Sequence, residues 1–189
     1  MTIIPQSYDW RSKLESRNAT KYIVLHHRAG DGDAESIHGL HLQRGYAGIG
    51  YHFYVRKNGE VYKGRPIGTV GAHCVGANYD SVGVCFEGNF ENEKEMTTAQ
   101  IRSGRELVCY LKTLYQGVKV VGHKDIQSTA CPGKYFPIER IKEEVKNVTT
   151  EEAVEIVQAK AGLEDETIEF LLCYKYGEEL LVKIAEAMR

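Results

Sequence analysis

From Lys21 to His26 the chain reads Lys-Tyr-Ile-Val-Leu-His, a nearly unbroken apolar run that predicts a buried strand. Alternation puts Tyr22, Val24 and His26 on one face and Ile23, Leu25 and His27 on the other. Ala34 to Gln43 has the period of a helix, with Ile37 and Leu40 as its core face. Tyr51 to Arg56 and Glu60 to Gly64 flank Asn58-Gly59, a strong signal for a tight hairpin. Ser81 to Phe86 predicts another strand. Thr97, with Gln100 three residues on, forms a capping-box pattern ahead of a long helix whose face carries Ile101, Val108, Leu111 and Tyr115. Val118 to Gly122 predicts a strand that delivers His123. Pro137 then opens a closing helix in which Ile138, Ile141 and Val145 share a face. Strand and helix signals alternate, so the expected fold class is α/β.

Beyond Asn147 the pattern changes to short amphipathic helices. Thr149 and Glu152 form a second capping-box pattern before Val154, Val157 and Ala161, and Gly162 stands where a C-terminal cap is expected. Ile168, Leu171 and Leu172 mark a second helix, ending near Gly177; Leu180, Leu181, Ile184, Ala185 and Met188 mark a third. The expected division is therefore an α/β body over residues 1–147 and a small three-helix module over 148–189. About 40 residues is the lower limit for independent stability, so the module is expected to dock, dimerise or bind something.

Charge sharpens this division. The formal net charge of the 189-residue chain is -2. From Thr149 onward ten acidic residues face four basic ones, a net -6 that leaves +4 on the rest. A mildly basic body suits an anionic polymer, and no basic cluster with interleaved aromatics points to nucleic acid. The apolar runs are all too short for a membrane span, and Met1 to Gln6 lacks the charged and apolar regions of a secretory signal. The five cysteines, Cys74, Cys85, Cys109, Cys131 and Cys173, are odd in number and irregularly spaced, which fits synthesis in a reducing cytosol rather than a disulfide framework.

The chemistry concentrates in Gly122-His123-Lys124-Asp125-Ile126-Gln127-Ser128-Thr129-Ala130-Cys131-Pro132-Gly133. His123 ends one apolar run, Cys131 follows eight residues later, and His26 ends another run far upstream. Imidazole and thiolate ligands on strand ends and turns suit a single Zn2+ ion, with the fourth position left to water. Such an ion would lower the pKa of that water and polarise a scissile carbonyl. His27 points away from His26 if the strand stays regular and is expected to be a hydrogen-bonded core or rim histidine. His38 and His41, three apart on the first helix, are expected to face solvent. Tyr51 and His52 point opposite ways, so only one of them can face the site.

Six segments in order carry a resemblance: Ile23-Val24-Leu25-His26-His27; Gly50-Tyr51-His52-Phe53; Val70-Gly71-Ala72-His73; Asn78 with Ser81-Val82-Gly83-Val84; Gly88-Asn89-Phe90; and Gly122 to Gly133. Over roughly Lys21 to Ile141 the chain resembles the zinc-dependent N-acetylmuramoyl-L-alanine amidases that share a fold with peptidoglycan recognition proteins. The resemblance implies a central mixed β-sheet flanked by helices, with zinc at the floor of a substrate groove. It implies His26, His123 and Cys131 as metal ligands, Tyr51 as the tyrosine that assists catalysis, and Thr129 as a hydrogen-bond donor to the developing oxyanion. His73 and Asn78 match positions that look toward the muramyl-peptide groove.

Several residues depart from the family pattern. Arg28 replaces a usual threonine after the histidine pair and is expected at the groove rim, as a partner for a stem-peptide carboxylate. A related branch carries a catalytic glutamate where this chain has Cys85, so Cys85 is expected to pack in the core and Glu87 is a poor substitute base. The short disulfide loop of the animal recognition proteins has no counterpart near Arg28, which points to a phage or bacterial lysin.

The expected activity is hydrolysis of the amide between N-acetylmuramic acid and L-alanine of bacterial peptidoglycan. The alternatives are a non-catalytic muropeptide-binding module and a cytoplasmic cell-wall recycling amidase; thiol redox chemistry at Cys131 lacks a neighbouring cysteine. Without a signal, the protein is expected to accumulate in the cytoplasm and reach the wall through a holin-type pore. The acidic module would serve wall targeting or homo-oligomerisation.

Overall fold

The computed structural model describes residues 1–143 and 148–188. Val145, expected on the face of the closing helix, and the expected boundary at Asn147 lie outside the described residues. The chain divides into two compact units, Met1–Val145 and Lys146–Arg189.

The first unit is built on a six-stranded mixed sheet of order β1-β4-β3-β5-β2-β6. Its strands are β1 (Ile3–Ile4), β2 (Tyr22–His27), β3 (Phe53–Val55), β4 (Val61–Lys63), β5 (Ser81–Phe86) and β6 (Lys119–Gly122). The hairpin at Asn58-Gly59 forms, pairing β3 with β4 antiparallel, and the other neighbours are parallel. β1, two residues long, pairs with β4 and carries too short a pattern to be read from the sequence.

Alternation along β2 and β5 divides the sheet into two working faces. Ile23 and Leu25 of β2, with Val82, Val84 and Phe86 of β5, are fully buried under helices α2 (Thr98–Leu114) and α3 (Ile138–Lys142). Each such side chain contributes roughly 1.5–3 kcal/mol on burial. Gln100 does not complete the expected capping box: Thr97 caps the Gln100 amide, but the Gln100 side chain donates to the carbonyls of Val55 and Glu87. The opposite face carries Val24, His26, Tyr54 and Cys85, covered by helix α1 (Ala34–Gln43) and by the loops that follow it.

Helix α1 corrects one expectation. Its buried residues are Ala34, Ile37, His38 and His41, whereas Leu40 is 39% exposed. The two histidines are buried because the loop after the helix supplies their partners. His38 Nδ1 accepts the Ile49 amide at 3.2 Å and His41 Nδ1 accepts the Gly50 amide at 2.9 Å. A satisfied imidazole can be buried where an unsatisfied one cannot.

The second unit consists of α4 (Thr150–Ala161), α5 (Asp165–Leu172) and α6 (Gly177–Met188) around Val148, Ala153, Val157, Ile168, Leu181 and Ala185. The Thr149–Glu152 capping box forms, and Gly162 closes α4 in the left-handed region at φ 66°. Gly177 opens the third helix rather than ending the second.

Candidate metal centre

His26 lies near the end of β2, paired in register with Cys85 of β5. On its other side the ladder with β6 ends at Leu25 and Gly122, so His123 occupies the next position as the chain turns into a single 3-10 turn. Two parallel strands thus deliver two histidines to one carboxyl edge, the end of a parallel sheet at which binding sites form. The Asp125 carboxylate accepts the Gly122 amide at 2.7 Å, and the Lys124 amide donates to the Cys131 carbonyl at 2.9 Å. These bonds fold Thr129 and Cys131 back toward His26.

The ligand atoms of His26, His123 and Cys131 all lie within 4.8 Å of one another. Cys131 Sγ is 3.7 Å from His26 Nδ1, and the two imidazole rings are 4.5 Å apart. The far nitrogens have partners: His26 Nε2 is 3.0 Å from His73 Nδ1, and His123 Nε2 is 3.0 Å from the Gln127 side-chain oxygen. Ligand types, spacing and outward-bonded imidazoles all suit a tetrahedral zinc site with one open position.

Burial sets the protonation state of these donors. Burial, then the neighbouring His123 and His27, holds His26 well below the ordinary histidine pKa, so it is neutral and able to ligate. Burial pushes the Cys131 thiol up to about 11. A bound metal reverses that preference and deprotonates the thiol.

Tyr51 precedes β3, and its ring lies 5.1 Å from that of His26. Burial, with Cys85 and Cys131 nearby, raises its pKa well above the ordinary tyrosine value. Cys85 is fully buried, in line with a packing role. Thr129 is exposed beside the cluster, and its oxygen accepts the Cys131 amide at 3.2 Å. A hydroxyl that accepts in this way keeps its own hydrogen to donate.

The three residues expected to contact substrate are placed differently. His73 is 9% exposed, with its ring against His26. Asn78 Oδ1 accepts the His73 and Cys74 amides at 2.8 and 2.9 Å, so it clamps the loop that carries His73. Arg28 turns onto its own loop, donating to the Asp31 carbonyl and to Ser36 Oγ. These bonds tie Arg28 to the 31–36 segment.

The remaining candidates are structural. His27 Nδ1 accepts the Phe90 amide at 3.1 Å. His52 Nδ1 accepts the Gly83 amide at 2.9 Å, and its Nε2 lies 2.9 Å from the Thr69 carbonyl. Glu87 is held by the Gly32 and Lys57 amides and by Arg56, which leaves it no role as a base. Sequence reasoning missed Gln127 as the partner of His123; a polar side chain one turn beyond a candidate ligand is the signal that could have found it.

Comparison with known proteins agrees with this geometry. Residues 16–134 match the family model described as N-acetylmuramoyl-L-alanine amidase, and the match ends ahead of the second unit. The endolysin of Klebsiella phage KP32 is 34% identical over 147 residues, covering 74% of this chain and 96% of that protein. The endolysin of Escherichia phage T7 is 30% identical over 149 residues, covering 75% of this chain and 97% of that one. Among solved structures, N-acetylmuramoyl-L-alanine amidase LysC from Clostridium intestinale URNW superposes with a TM-score of 0.73 at 40% identity, covering 75% of this chain and 95% of its own. The chain belongs to the N-acetylmuramoyl-L-alanine amidase family, as an α/β enzyme of the endolysin type that hydrolyses peptidoglycan.

Proposed function

We propose that this amidase works with one zinc ion held by His26, His123 and Cys131. The observation that carries the reading is the convergence of these three donor side chains within 4.8 Å, from two strand ends and a turn. When bound, zinc would supply an activated water and a Lewis acid for the scissile carbonyl between muramic acid and L-alanine.

The chain's own residues do the remaining work. Tyr51, kept protonated by burial, orients the attacking water through its hydroxyl. Thr129 donates its hydroxyl hydrogen to the carbonyl oxygen as negative charge develops there. It brings no positive charge, so its contribution is that of one neutral hydrogen bond.

The test is metal content together with product analysis on intact peptidoglycan. Zinc at one equivalent, and new N-terminal alanine with no new reducing sugar, are expected. Cys131→Ser should lose both metal and turnover while keeping its fold. Unchanged wall clearing after complete chelation would overturn the zinc reading.

The endolysin relatives favour synthesis in the cytoplasm and action on the wall; release through a holin-type pore is our own extension of that reading. Among the described residues no helix is long and apolar enough to cross a membrane. For the second unit we favour wall targeting. Its exposed Tyr174, Tyr176 and Leu180 border a recess of about 510 Å³ between α5 and α6. Removal of residues 148–189 should weaken binding to isolated walls more than it slows cleavage of a soluble muropeptide. Equal binding by the full and shortened chains would remove that role.

A further inference from the structure

His73 sits behind His26 at the start of a hydrogen-bonded chain that ends on the main chain. His26 Nε2 is 3.0 Å from His73 Nδ1, His73 Nε2 is 3.4 Å from Ser81 Oγ, and Ser81 Oγ is 2.5 Å from the Ala77 carbonyl oxygen. A carbonyl can only accept, so the last link has one direction: the Ser81 hydroxyl gives its hydrogen to Ala77. Ser81 Oγ must then accept from His73 Nε2–H. A neutral His73 with its hydrogen on Nε2 has a bare Nδ1, which accepts from His26 Nε2–H. That leaves His26 Nδ1 without a hydrogen, and Nδ1 is the atom that faces Cys131.

The ring has a built seat. A Cβ added at Gly71 or at Gly83 would come within 2.5 Å of His73 Cδ2, so both positions are kept clear for it. The Asn78 side chain clamps the His73 amide from the far side of the loop.

We infer that His73 is a positioning residue for the metal site: with Ser81 and the Ala77 carbonyl it sets the His26 tautomer that presents Nδ1 to the ion. This rests on the zinc reading above only for the identity of the ion. The tautomer itself is a property of the metal-free protein. Hydrogen-bond partners behind a metal-ligating histidine are worth about 10- to 100-fold in metal affinity.

The experiment has two readouts. In the metal-free, 15N-histidine-labelled wild-type protein at neutral pH, long-range 1H–15N spectra should show His26 with its hydrogen on Nε2. His26 found with its hydrogen on Nδ1 would overturn the inference, whether or not zinc binds. The second readout is zinc affinity by chelator competition. His73→Phe, which fills the seat but accepts nothing, should weaken zinc binding about 10- to 100-fold. His73→Asn, whose carbonyl oxygen can stand near the Nδ1 position, should recover most of that loss. A folded His73→Phe protein with wild-type zinc affinity would overturn the positioning role. If the wild type holds no zinc at all, the metal reading fails while the tautomer measurement still decides the hydrogen-bonded chain.

Discussion

The rings of Tyr51 and His26 lie 5.1 Å apart at a tilt of 56°. The phenol is therefore placed beside the metal-binding edge without being a ligand itself. Tyr51→Phe should keep zinc stoichiometry and melting temperature near wild type and lower kcat by about 10²–10³-fold, the range for removing one positioned hydrogen-bonding group. A Tyr51→Phe enzyme with wild-type turnover would exclude the role.

Thr129 offers a finer test of the same site. Thr129→Val preserves shape and removes the donor, so turnover should fall by roughly 10²-fold with zinc retained. Thr129→Ser should stay close to wild type, because it keeps both the acceptor for the Cys131 amide and the free hydrogen. Wild-type turnover in Thr129→Val, or an equal loss in Thr129→Ser, would remove the hydroxyl from the chemistry.

Acid should destabilise the catalytic unit through its buried histidines. Burial, with Arg44 and Arg65 nearby, lowers the His41 pKa to about 4 from an ordinary value of 6.5. Between those values the unfolded chain binds more protons than the native one, so stability rises with pH. The contribution is complete above about 6.5 and is lost as pH falls toward 4, an effect of about 3 kcal/mol. His52, lowered to about 3 chiefly by burial, acts in the same direction. His41→Asn keeps an acceptor for the Gly50 amide and cannot titrate. Denaturant unfolding at about pH 7 and about pH 5 should show a shallower stability loss for the variant than for wild type.

Gly104 sets helix propensity against packing. In the interior of α2, alanine is favoured over glycine by about 1 kcal/mol. A Cβ at Gly104 would come within 2.7 and 2.9 Å of Phe86 ring atoms and 3.0 Å of Ile141 Cδ1. Both neighbours are fully buried, and overpacking of this kind costs about 1–3 kcal/mol. Packing should win, so Gly104→Ala is expected to lower the melting temperature; a rise would show that the core can yield.

Much of this protein was legible in its sequence. The β2 and β5 runs, the Asn58-Gly59 hairpin, the Thr149–Glu152 cap and Gly162 follow from local periodicity and turn chemistry, which act between residues close along the chain. The donor types His26, His123 and Cys131 were also legible, because strand ends and an adjacent turn advertise them.

Tertiary structure decided what long-range packing decides. His38 and His41 are buried because a loop eight or more residues away offers them amides, which no helical period can announce. Arg28 bonds to the Asp31 carbonyl and Ser36, and the His73 ring lies against His26, because strands β2 and β5 and the 71–78 loop meet there. The sequence by itself determined which side chains could hold a metal. Which nitrogen each histidine presents was settled by hydrogen bonds to residues up to 47 positions away, since a tautomer follows its partner.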